Sequence, residues 1–159
     1  MHMDKFENAF LWLAGITLGA FAIAVLISVA GLGIHLPGEA GQIAPADVAT
    51  DPDFGAPGLR SIRPGDYELY IVASTWQYDP SEVEVPVNSH VTLFLTSPDV
   101  IHGFKVFNTT LNGMVIPGQI TQLEYTFKKP GTYAFYCHEY CGTLHHTMIG
   151  QIVVTGDNQ

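Results

Sequence analysis

TYAFYCHEYCGTLHHTMIGQIVVT, residues 132–155, joins two strand-like runs through a loop crowded with metal-ligating side chains. TYAFYC (132–137) and IGQIVVT (149–155) are rich in the aromatic and β-branched residues that suit a pleated, half-buried surface. Between them CHEYCGTLHHTM (137–148) holds both cysteines of the chain, three histidines, a glutamate and a methionine. A segment bounded by two strands is a loop at one end of a sheet. Loops held by a rigid scaffold are where β-domains carry their function.

The preceding sequence has the same strand-like character from Tyr67 onward. YELYIVAS is rich in β-formers, and EVEVPV alternates with Val83 and Val85 on one face. HVTLFLT sets Val91, Leu93 and Leu95 against Thr92, Phe94 and Thr96, and TQLEYTF directs Leu123, Tyr125 and Phe127 inward. Lys129-Pro130-Gly131 is a turn before TYAFYC. No stretch after Ile34 carries a sustained helical apolar stripe. The expected fold of residues 67–159 is therefore all-β, a Greek-key sandwich or barrel.

The first third of the chain differs. From Ala9 to Ile34 there is no Asp, Glu, Lys or Arg. As a helix this run extends about 39 Å, enough to cross a hydrocarbon core of about 30 Å with some tilt. Trp12 suits an interfacial anchor. A cleaved signal peptide, with Ser28-Val29-Ala30 as its cleavage site, is the alternative. The run exceeds a usual signal core of about 7–15 residues, however, and MHMDKFE is not positively charged. Residues 1–35 are thus expected to be one transmembrane α-helix. Lys5 is the single basic residue before Arg60, which places the N-terminus inside and the bulk of the chain outside the cytoplasm. Residues 36–66 hold five of the ten prolines and no sustained period, so they are expected to be a tether without a core of its own. The chain carries a net charge of −9, and no nucleic-acid partner is expected of it.

Two cysteines could form a disulfide, which an extracytoplasmic compartment permits, but closing so short a loop gains little chain entropy and leaves His145 and Met148 without a role. Zinc accepts Cys and His, although a thioether is not a ligand of choice for it and the C-x-x-C knuckle is missing. Thiolate, imidazole and thioether together point to copper. A mononuclear site needs one Cys, two His and a distant Met, and Cys141 exceeds that set. His102, just after the HVTLFLT strand, is the candidate for the further imidazole, because strand-end loops of a sandwich converge at one pole. Such a set is large enough for two copper ions bridged by both sulfurs.

The pattern C-x-E-x-C-G-x-x-H-x-x-M, present as Cys137, Glu139, Cys141, Gly142, His145 and Met148, resembles subunit II of haem-copper cytochrome c oxidases. So do Asp99, Val100, His102 and Phe104 in D-V-x-H-x-F, Ile116 to Gly118, and the closing IGQIVV. The resemblance implies a cupredoxin-like domain with a dinuclear Cu(A) centre. Cys137 and Cys141 would bridge the coppers, His102 and His145 would each bind one, Met148 would be a weak ligand, and Glu139 would lend its backbone carbonyl. His138 and His146 match no ligand position. A single span is as in oxidases similar to the B family. The stretch ASTWQYDP has Ser74 where many relatives carry a second tryptophan, which leaves Trp76 as the residue where electrons would enter.

The function so implied is an electron-accepting subunit of cytochrome c oxidase, not catalytic alone. It would take single electrons from cytochrome c or a small copper protein and pass them to haem in subunit I, where oxygen is reduced to water. A membrane-anchored Cu(A) protein serving another acceptor is the alternative. The resemblance also implies a magnesium ion at the subunit boundary through Glu139. The location implied is the inner cell membrane, with the C-terminal copper domain on the periplasmic side.

Overall fold

The computed structural model describes residues 4–31 and 38–156. The ends expected for the anchor and the start of the tether, near residues 34–36, lie outside the described residues. Helix α1, Lys5–Gly31, buries none of its side chains. Its length and composition suffice to cross a membrane.

The remaining described residues form ten strands in two sheets. They are β1 (Gly58–Arg63), β2 (Asp66–Ser74), β3 (Gln77–Asp79), β4 (Glu82–Pro86), β5 (Ser89–Thr96), β6 (His102–Val106), β7 (Asn112–Val115), β8 (Thr121–Phe127), β9 (Gly131–Tyr136) and β10 (Ile149–Thr155). One sheet has the order β1-β2-β5-β8, with β3 paired to β2; the other has the order β4-β10-β9-β6-β7. The parallel pair β2 and β5 is connected through β4 of the opposite sheet. The expected all-β sandwich preceded by one apolar helix is thus the architecture observed.

Alternation builds the core. Leu69, Ile71, Ala73, Val91, Leu93 and Leu95 project inward from the first sheet, and all are fully buried. Val85, Phe104, Val106, Phe135 and Ile152 meet them from the second. Tyr78, Phe104 and Phe135 pack edge-on or tilted, with ring centroids 5.0 to 5.7 Å apart, which suits the aromatic quadrupoles.

The stretch expected to be a tether is built into the domain. Ile43, Val48 and Phe54 form a second small core against Tyr70, Val72, Phe94 and Ile120. These residues cover the outer face of the first sheet, where Tyr70 stacks on Phe94 and meets Phe54 edge-on. Arg60 lies over the Tyr70 ring and pairs with Asp53. Of the prolines that suggested a linker, Pro45 starts a 3-10 turn at Pro45–Thr50, and Asp51 caps the next bend through the N–H groups of Asp53 and Phe54. Apolar residues brought together by turns carry no period of 2 or 3.6, so periodicity could not reveal them.

Phe54→Ala is expected to destabilise the domain by about 3–5 kcal/mol, as for other buried aromatic truncations. Thermal unfolding of the full chain in detergent would measure it. A loss within about 0.5 kcal/mol, the usual effect of surface substitutions, would mean that the segment is a bystander.

Candidate metal centre

The loop between β9 and β10 is closed by the ladder that flanks it. Tyr136 pairs with Ile149, and Cys137 N donates to Met148 O at 3.1 Å, so the first and last ligand-type residues of the loop are neighbours. Inside the loop His145 N donates to Gly142 O and Met148 N to His145 O, which forms the 3-10 turn His145–Thr147. Gly142 has φ +120°, and a Cβ there would lie 3.0 Å from the Trp76 indole nitrogen. Only glycine meets both demands without strain.

The sulfurs converge. Cys137 and Cys141 are free and buried, with Sγ atoms 3.9 Å apart. Cys141 Sγ lies 3.5 Å from His145 Nδ1 and 3.6 Å from Met148 Sδ, and Cys137 Sγ lies 3.1 Å from the Glu139 carbonyl oxygen. His102 arrives at the start of β6, and ligand atoms of His102, Cys137 and Cys141 all lie within 4.8 Å of one another. All six residues singled out as ligands in the sequence therefore meet at one pole. His138 and His146 are exposed. His138 stands against Gly103, where a Cβ would come within 2.6 Å of its Nδ1.

The electrostatics fit a soft cation. Burial, followed by the neighbouring Cys137, pushes the Cys141 thiol up to about 11. Two thiolates this close would repel strongly in a buried site, and a metal that takes their charge removes the penalty. His102 is fully buried, and its Nδ1 has no hydrogen-bond partner. An orphaned buried nitrogen costs about 1–3 kcal/mol, whereas as a metal ligand it is satisfied. Three N–H groups favour the thiolates. Gly103 N lies 3.3 Å from Cys137 Sγ, and the backbone amides of Cys141 itself and of Trp76 are directed at the Cys141 thiol.

Asp99 organises the far side of His102. Its Oδ1 lies 2.9 Å from His102 Nε2, and it also accepts from Thr75, Ser97 and Val100 N. Burial alone would raise its pKa, but the hydrogen bonds from Thr75, His102 and Val100 outweigh it and hold the carboxyl well below the usual range. An ionised Asp99 accepts from Nε2–H, which leaves the lone pair on the unpartnered Nδ1 free for a metal. The D-V-x-H spacing contained this contact, since Asp99 and His102 are three residues apart. The N–H groups of Gly103 and Trp76 had no signature in the sequence. Trp76 is 38% exposed and has φ +72°.

A cupredoxin-like sandwich that gathers thiol, imidazole and thioether at one pole is the hallmark of a copper protein, here with a helix suited to anchor it in a membrane. The family described as "Cytochrome C oxidase subunit II, periplasmic domain" matches residues 71–156. A cytochrome c oxidase subunit 2 of Thermus thermophilus is 36% identical over 134 residues, spanning 83% of this chain and 80% of that protein. A second Thermus thermophilus protein of the same name is 37% identical over 124 residues, spanning 77% and 92%. One chain of a haem-copper terminal oxidase dimer solved by cryo-electron microscopy superposes with a TM-score of 0.75 at 36% identity, covering 95% of this chain and 100% of that one. The periplasmic domain of subunit II of Bradyrhizobium japonicum cytochrome oxidase, 23% identical, shares the fold with a TM-score of 0.53 over 57% of this chain and 84% of that one. The chain belongs to the cytochrome c oxidase subunit II family.

Asp99→Ala is expected to lower copper affinity by about 10–100-fold, because the imidazole loses the group that fixes its tautomer. Asp99→Asn, whose amide oxygen can still accept from Nε2–H, should lose less. Competition titration against a copper chelator measures both. Unchanged affinity in the alanine variant would refute the positioning role.

Proposed function

We propose that this chain accepts single electrons at a dinuclear Cu(A) centre and passes them to haem in subunit I of a haem-copper oxidase. The observation that carries this reading is the pair of buried thiols 3.9 Å apart, flanked by the unpartnered His102 Nδ1. Cys137 and Cys141 would bridge the metals, His102 and His145 would each hold one, and Met148 and the Glu139 carbonyl would complete the set. When bound, the copper pair supplies a one-electron couple shared across both sulfurs.

The residues of the chain do the rest. The β9–β10 ladder fixes the loop before metal arrives, so little needs to move when charge changes. Core residues such as Phe104 and Phe135 exclude water beside the site. The N–H groups of Gly103 and Trp76 stabilise sulfur charge. Trp76 packs on Gly142 and reaches the surface, which supports it as a point where electrons enter from a cytochrome c or small copper protein. Beyond α1, thirteen acidic residues stand against five basic ones, a field that steers a basic donor. We place the copper domain on the periplasmic side of the inner membrane, on the strength of Lys5 preceding the span. Glu139 is half-buried with Oε1 bonded to Tyr140 N, and as a hard oxygen ligand it suits a magnesium ion at the boundary with subunit I.

Copper-loaded protein is expected to contain two coppers per chain and one unpaired electron delocalised over both nuclei in its paramagnetic resonance spectrum. Cys137→Ser and Cys141→Ser should each abolish that spectrum. One copper per chain, with the hyperfine pattern of a single nucleus, would refute the dinuclear reading.

A further inference from the structure

The outer face of the sheet that bears the loop carries an apolar patch that the ligand set does not use. Phe107 and Tyr136 stack with ring centroids 4.6 Å apart. Ile149 is the partner of Tyr136 across the β9–β10 ladder. Phe107 and Ile149 are 52% and 65% exposed. With Ala134 and Gly150 these side chains line a groove of about 440 Å³ whose rim includes Glu82. Single exposed apolar residues are ordinary, but a contiguous patch rimmed by polar groups marks an interaction surface.

Two features define what fits there. The first is charge. Glu82 and Glu84 face outward from β4 and are exposed, while Lys105 on the same face donates to Thr109 O and is held toward the β6–β7 connection. A complementary partner is apolar at its centre and cationic at its edge.

The second feature is connectivity. Phe135 points into the core, so Tyr136 points out into the patch, and the next residue is Cys137, one of the two buried thiols. Electron tunnelling falls steeply with distance and is faster along covalent bonds than across gaps. A redox group resting on Tyr136 therefore has a route through one peptide link to the Cys137 sulfur. Trp76, at the β2–β3 turn of the other sheet, approaches Cys141 instead.

Resting on the reading given under Proposed function, we propose that the Phe107–Tyr136–Ile149 face docks a cationic one-electron carrier protein and that Tyr136 leads its electron to Cys137. The carrier loses one electron and the site held by Cys137 gains it; no bond forms or breaks and no proton moves. The chain then has two ports, one for each sulfur and one on each sheet.

The test uses the full copper-loaded chain in detergent, with a lysine-rich c-type cytochrome as the probe. Binding is first measured calorimetrically with both proteins oxidised, so that no electron moves. Replacing Phe107→Ser and Ile149→Ser together should raise Kd by about tenfold or more, as expected for central contact residues, and leave the copper spectrum intact. Tyr136→Leu, which keeps an apolar contact, should preserve Kd but slow reduction by the reduced probe. An unchanged Kd in the double variant, or no binding by the wild-type chain, overturns the docking face. An unchanged reduction rate in Tyr136→Leu overturns the route through that residue. If the wild-type chain shows no dinuclear copper spectrum, it is the underlying reading that fails.

Discussion

The hydrogen bond from Cys137 N to Met148 O adds one more rung to the β9–β10 ladder, and the positions of all the loop ligands depend on it. With the two ends of the loop pinned together, ten intervening residues must close on themselves above the sandwich. Gly142 and the 3-10 turn at His145 let them do so while turning Cys141, His145 and Met148 toward Cys137. The entropy of bringing these groups together is met when the sheet folds rather than when metal binds. A site prepared in this way changes little between charge states, which is what rapid electron transfer requires.

The same arrangement has a cost in stability. His102 Nδ1 is buried without a partner, and two thiols sit within van der Waals reach in a site where burial opposes ionisation of Cys141. A chain selected only for stability would fill this pole with apolar side chains. A soft cation bound here would relieve both penalties together. Asp99 completes the logic from outside. Held ionised by its hydrogen bonds, it determines which imidazole nitrogen is left for the metal, and through Thr75 it ties the His102 loop to the β2–β3 turn that carries Trp76.

Much of this was legible in the sequence where a physical period existed. Val91, Leu93 and Leu95 alternate cleanly, and β5 is an interior strand of its sheet, between β2 and β8. The strands β1, β3, β6 and β7 are three to six residues long, too short for a period to stand out. β6 alternates only through Phe104 and Val106 around Lys105, while residues such as Arg60, Gln77 and Gly113 give the others no apolar alternation; their place is set by the ladders of their neighbours. Ile43, Val48 and Phe54 were hidden among prolines, since turns rather than periodicity bring them onto Tyr70 and Phe94. The ligand loop was plain, because five soft or carbonyl donors at fixed spacing have no common structural use. The backbone groups that aim at its sulfurs could not be read, because an N–H exists at almost every position and only the left-handed φ of Trp76 and the close approach of Gly103 reveal which ones matter.

The proposed function requires Cys137 and Cys141 to hold two copper ions between them rather than one. X-ray absorption at the copper edge of the loaded protein addresses it directly. A dinuclear site would give a copper scatterer close to each absorbing copper, together with sulfur and imidazole nitrogen. Sulfur and nitrogen shells without any neighbouring copper would contradict it.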